Sequence, residues 1–126
     1  MRILDTNIIL RYLLNDHEIL SPKSIEIFEQ SETILFSEEV IVEIVYVLQK
    51  LYKVPRLKIK ENLKLLLNLP NVEISKYDIV MEAISVYSKS NLDYVDCVLY
   101  SYAKLKKIKV ETFDEELLKS LNKNLY

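Results

Sequence analysis

Short apolar runs alternate along this chain with longer stretches whose apolar residues recur at helical spacing. Arg2 to Asp5 predicts a first short strand, and Asn7 to Leu14 a helix ended by the polar Asn15-Asp16-His17-Glu18. Ser21-Pro22 predicts a helix start, with the serine as cap and the proline in the first turn. That helix runs to about Glu29, and Thr33 to Phe36 reads as a second strand. Ser37 then caps a long helix through about Tyr52. Pro55 separates it from another over about Leu57 to Leu69, and Pro70-Asn71 turns into a third strand at Val72 to Ser75. Helices follow near Asp78 to Ser88 and Asp93 to Lys107, then a fourth strand at Lys109 to Phe113 and a last helix at Glu115 to Leu121. Strands separated by helices predict an α/β fold, a parallel sheet flanked by helices. In open parallel sheets ligands bind beyond the carboxyl ends of the strands, so the polar residues there come next.

Asp5 ends the first strand and precedes a helix, as a cap or as a site residue. Thr6 and Asn7 could cap equally well, so the three are redundant for that job alone. Glu43 is the only charge between Val40 and Leu48. A helix apolar all round is a buried helix, and a carboxylate inside one must be paired with a cation, protonated or bound to a metal. Asp96 sits at the edge of an apolar helical stripe that runs through Leu92 and Leu99. Asp93, three residues earlier, can share its face or cap that helix. Asp114 repeats the pattern of Asp5: apolar strand, aspartate, helix. Its alternative is again capping, although Thr112 and Glu115 fit a capping box without it. Four clustered carboxylates repel one another unless a cation sits among them, and hard oxygen donors select Mg²⁺ or Mn²⁺ over zinc.

Composition narrows the choice. The chain has 126 residues and a net charge of -2, the size of one domain. Half of its residues are apolar and 29% charged, which excludes a disordered tail. The slight acidity argues against a surface coated in nucleic-acid-binding charge but leaves room for a local basic patch. Cys97 is the only cysteine and His17 the only histidine, so a Cys- or His-based metal site and an intrachain disulfide are excluded. There is no Gly. Glycine-built phosphate loops are therefore excluded, and left-handed backbone falls to Asn, Asp or a strained residue. Charge at Arg2, Asp5 and Arg11 argues against a signal peptide, and no apolar run approaches the roughly 20 residues of a membrane span. A cytoplasmic protein with no membrane partner is expected.

Taken together, LDTNIILRYLL, the Glu within SEEVIVEIVYVL, DYVDCVLYSYAK and ETFDEEL resemble the PIN-domain family, and within it the VapC-type toxins of toxin–antitoxin pairs. The resemblance implies one PIN domain over residues 1–126: a three-layer α/β/α fold around a small central parallel sheet of four to five strands. It implies a metal-dependent endoribonuclease with Asp5, Glu43, Asp96 and Asp114 as its acidic site. Asp5, Asp96 and Asp114 would hold Mg²⁺ or Mn²⁺, with Glu43 as ligand or base. Thr6, Asn7, Asp93, Thr112 and Ser37 match auxiliary positions. The implied partners are RNA, a cognate antitoxin and a second copy of the chain in a homodimer. Arg11 is the first candidate to touch substrate or antitoxin. Lys50, Lys53, Arg56, Lys104, Lys106 and Lys107 are further phosphate candidates, each with a solvated surface as its alternative. The family usually carries Gly where this chain has Asn91 or the Lys106-Lys107 turn. The rival expectation is a PIN-like scaffold without activity that binds RNA or protein. A phosphoryl-receiver domain fits less well, because Asp5 stands alone after its strand.

Overall fold

A computed structural model describes all 126 residues. Three short strands, β1 (Arg2–Ile3), β2 (Ile34–Phe36) and β3 (Val72–Ile74), form one parallel sheet in the order β1-β2-β3. Arg2 pairs with Ile34, and Ile34 with Val72. Parallel neighbours need long crossovers. Helices α1 (Thr6–Leu14) and α2 (Leu20–Gln30) link β1 to β2, and α3 (Glu38–Lys50) and α4 (Arg56–Leu67) link β2 to β3. Three further helices follow: α5 (Tyr77–Lys89), α6 (Tyr94–Lys106) and α7 (Glu115–Asn124). One core joins the layers, with Ile34 and Phe36 of the sheet against Ile9, Ile44, Ile84 and Leu117 of the helices. No helix is long and apolar enough to cross a membrane.

The sheet has three strands, not the expected four to five. Residues 107–114 form neither strand nor helix. Val110 and Thr112 are half-buried while Lys109, Glu111 and Phe113 are exposed, so the period-2 alternation that suggested a strand is present. The missing part is a ladder. The Val110 amide donates to the Tyr126 hydroxyl (3.2 Å), and Lys109 Nζ stands 4.2 Å over the Tyr126 ring. Alternation reports which way side chains face, whereas pairing depends on tertiary neighbours. The outer edge of β1 is left exposed at Arg2 and Ile3.

One local expectation also changes, and another is met. Ser21 does not cap α2: the helix starts one residue earlier, and His17 Nδ1 accepts the amides of Ile19 (3.2 Å) and Leu20 (2.9 Å). Ser21 Oγ instead accepts the His17 amide at 3.1 Å. The left-handed positions are Asn15, Lys53, Lys76 and Lys107. Asn is the expected choice, and the three lysines hold a conformation that Gly adopts without strain. At Lys76 the side chain is engaged, pairing with Glu38 (3.3 Å) and lying 5.6 Å over the Tyr102 ring.

Candidate active site

Asp5 follows β1 as the N-cap of α1. Its Oδ1 accepts the Thr6 amide at 2.8 Å, and its carbonyl accepts those of Ile8 and Ile9. Asp5 and Asn7 are exposed, whereas Thr6 is buried beneath them. Ser37 follows β2 and caps α3 as expected, its Oγ accepting the Val40 amide at 3.3 Å. The carboxyl ends of the first two strands therefore each pass directly into a capped helix.

The second group of acids lies where α6 and α7 begin. Asp93 occupies the N-cap position of α6, and its carbonyl accepts the Cys97 amide at 3.0 Å. Its side chain makes no cap bond, so the exposed carboxylate is free for another role. Asp96 lies partly buried in the first turn of that helix. Desolvation holds its carboxyl above the ordinary aspartate range, and the charges of Asp114 and then Asp93 add to the effect. Asp114 caps α7, with Oδ1 on the Leu117 amide at 2.8 Å. Thr112 Oγ1 accepts the Asp114 amide at 3.0 Å. The capping box of Thr112 and Glu115 does not form: Asp114 is the cap, and Thr112 steadies it.

Glu43 departs from its sequence reading. It is exposed, because α3 buries only the stripe Ile41, Ile44, Val45 and Leu48. Tyr46 on the outer side is 59% exposed, and Val42 and Val47 are only partly covered. Branched apolar residues made the helix look buried all round. The burial argument for a partnered carboxylate at Glu43 therefore falls. Glu43 does lie on a helix packed against α6. Val42 of α3 and Val95 and Val98 of α6 line one apolar cavity of about 110 Å³.

The acids are not drawn to a single point. Asp93, Asp96 and Asp114 share one electrostatic neighbourhood, but no three acidic, His or Cys side chains stand close enough to hold an ion. Cys97 is buried, which pushes its thiol up to about 12 and leaves no thiolate for nucleophilic chemistry.

The cations divide unevenly. Arg11 Nη1 bonds Asp16 Oδ1 at 2.9 Å and Nη2 reaches the Tyr52 hydroxyl at 3.5 Å. With Asn7, Ile8 and Lys23 it lines a groove of about 360 Å³ between α1 and α2. Lys104 and Lys106 pair with Glu82 and Asp78, both at 2.7 Å. Arg56 turns inward to backbone carbonyls and is no free phosphate contact. Sequence reasoning missed that role, although a cation in the first position of a helix, against its dipole, was a signal.

A family model described as PIN domain matches residues 2–123. The chain belongs to the PIN-domain family. It is 36% identical over 116 residues to the VapC ribonuclease of Aquifex aeolicus (strain VF5), a span of 86% of this chain and 83% of that protein. No solved structure matches the chain.

Proposed function

We propose that this protein is a divalent-metal-dependent endoribonuclease and the toxin of a toxin–antitoxin pair. One observation supports the reading: in a PIN chain similar to a VapC ribonuclease, Asp96 feels the charges of Asp114 and Asp93 near the starts of two helices. The all-oxygen donor set suits Mg²⁺ or Mn²⁺. Asp5, Asp96 and Asp114 would hold the ion, with Glu43 as a further ligand or base. A bound divalent ion supplies a water of lowered pKa and offsets charge on the scissile phosphate.

The protein's own groups do the rest. Asp96 is raised by desolvation first and by the like charges of Asp114 and Asp93 second, and an entering cation would offset both. Asp93 adds negative potential from a side chain with no bond to its helix. Asn7, exposed next to Asp5, orients the phosphodiester by hydrogen bonds. Thr6, Ser37 and Thr112 fix the backbone around the acids. Arg11 faces RNA or antitoxin from the α1–α2 groove. Exposed apolar residues, among them Tyr46, Val95 and Leu99, offer surface for a second copy in a homodimer or for an antitoxin.

The rival reading is a PIN scaffold that binds RNA or protein without cutting. It draws on the finding that no three acids stand within reach of one ion. Incubation of a mixed structured-RNA pool with Mg²⁺, Mn²⁺ or EDTA, beside an Asp5→Asn control, separates the two. Metal-dependent cutting that the control loses supports the nuclease. No cutting together with no metal binding by calorimetry supports the scaffold.

A further inference from the structure

The turn between α5 and α6 is held from outside by one side chain. Arg56 Nη1 donates to the carbonyls of Leu92 (2.7 Å) and Tyr87 (3.1 Å). Its guanidinium lies 4.1 Å over the Tyr87 ring, a stacking that favours a planar cation. Tyr87, 1% exposed, donates its hydroxyl to Gln49 Oε1 of α3 at 2.6 Å. The Leu92 amide donates to Ser90 Oγ at 3.3 Å. The peptide group just before Asp93 is therefore gripped at its carbonyl by Arg56, and the residue that carries it is gripped at its amide by Ser90.

This grip has a local cost. Arg56 is the first residue of α4, where the helix dipole disfavours a cation. At the other end of its reach lies the last turn of α5, whose unpaired carbonyls favour one. A residue that breaks a rule on its own helix and satisfies one on another is there for its tertiary contact.

We propose that Arg56 is a positioning residue of the acidic site. It locks the Leu92 peptide, sets where α6 begins, and so fixes Asp93 and Asp96 relative to Asp114. The inference rests on the metal-site reading of those acids. Groups that orient ligands, without being ligands, typically change metal affinity by 10–100-fold.

The test uses the full chain and Mn²⁺ as probe. Calorimetry gives the Mn²⁺ affinity of wild type, Arg56→Ala, Arg56→Lys and Ile59→Val. Ile59 lies on the same helix and is fully buried, so its variant is destabilised without touching the turn. Amide exchange over residues 90–97 of the metal-free proteins is the second readout. Arg56→Ala is expected to weaken Mn²⁺ binding about tenfold and to speed exchange across 90–97 while α7 is unchanged. Arg56→Lys is expected to recover part of the affinity, because a lysine keeps the charge and loses the planar fork. Ile59→Val is expected to melt earlier and bind as wild type does. Equal affinity in Arg56→Ala and wild type overturns the proposal, as does an equal loss in Ile59→Val. A wild-type protein that binds no Mn²⁺ overturns the metal-site reading and this inference with it.

Discussion

Asp114 and Asp96 are both carboxylates near the start of a helix, and their surroundings are opposite. Asp114 is exposed and its Oδ1 accepts a backbone amide at 2.8 Å, so its charge is useful to the fold. Asp96 is partly covered, has no hydrogen-bond donor in the protein, and faces two like charges. A cap is placed where negative charge stabilises a helix. An acid held in a repulsive, desolvated position opposes folding, and such positions are typical of functional groups.

The largest expected effect comes from removing the opposed charge. On the proposed metal-site reading, Asp96→Asn is expected to lower RNA cleavage by more than about a hundredfold, since it would remove a charged ligand. The same change should raise thermal stability at neutral pH. The folded Asp96 carboxyl binds its proton more tightly than the unfolded one does. Its contribution to stability therefore falls as pH rises from the ordinary aspartate range through the raised value, and stays unfavourable above it. Wild type and Asp96→Asn should converge in Tm as pH drops below that window. Paired melting curves and cleavage assays across pH check both halves. Lower stability for Asp96→Asn at pH 7 would remove the contrast with Asp114.

The caps come next in size. Asp114→Ala should cost about 1 kcal/mol, which is on the order of 4 °C in Tm for a domain of this length. Asp5→Ala should cost less, because Asp5 bonds the amide of the very next residue instead of one two or three further on. Asp93→Ala should stay within about 0.5 kcal/mol of wild type, since its side chain caps nothing. Denaturant titrations rank the three. Asp114→Asn then separates two roles: Asn caps about as well as Asp, so stability holds while metal affinity and cleavage fall. A stable, fully active Asp114→Asn would leave Asp114 as a cap alone.

The same contrast marks what the sequence could tell. Ser37 as a cap, the strand–helix alternation and the position of Asp5 were readable because each rests on residues a few places apart. The fourth strand was not, because Lys109 to Phe113 has the right alternation but Val110 bonds Tyr126 across sixteen residues. Glu43 misled through composition: valines on both faces of α3 hid which face was covered. Asp96 was placed at the edge of an apolar stripe through Leu92 and Leu99, but α6 buries Tyr94, Cys97, Tyr100 and Ala103 and leaves Val95 and Leu99 exposed, so the partial burial of Asp96 has another origin than that stripe. The inward turn of Arg56 joins residues 31 and 36 positions apart. Local pattern carries no information at that range, beyond the oddity of a cation opening a helix.

The smallest effect concerns the link between the contrasted acids. Lys107 ends α6 in the left-handed region (φ 58°) and starts the segment that delivers Asp114. A residue with a Cβ held there is strained by roughly 1–2 kcal/mol. Gly would relieve that strain but costs about 0.5–1 kcal/mol in added freedom of the unfolded chain. Lys107→Gly should therefore stabilise the protein by only about 0.5 kcal/mol, while Lys107→Val, whose branched side chain tolerates positive φ poorly, should destabilise it. If the backbone at this point sets how Asp114 meets Asp96, the Gly variant should leave the pH window of the Asp96 effect in place and the Val variant should shift it. Melting curves of the two variants over the same pH range test this. Gly that destabilises would mean that the lysine side chain, not the turn, holds the segment.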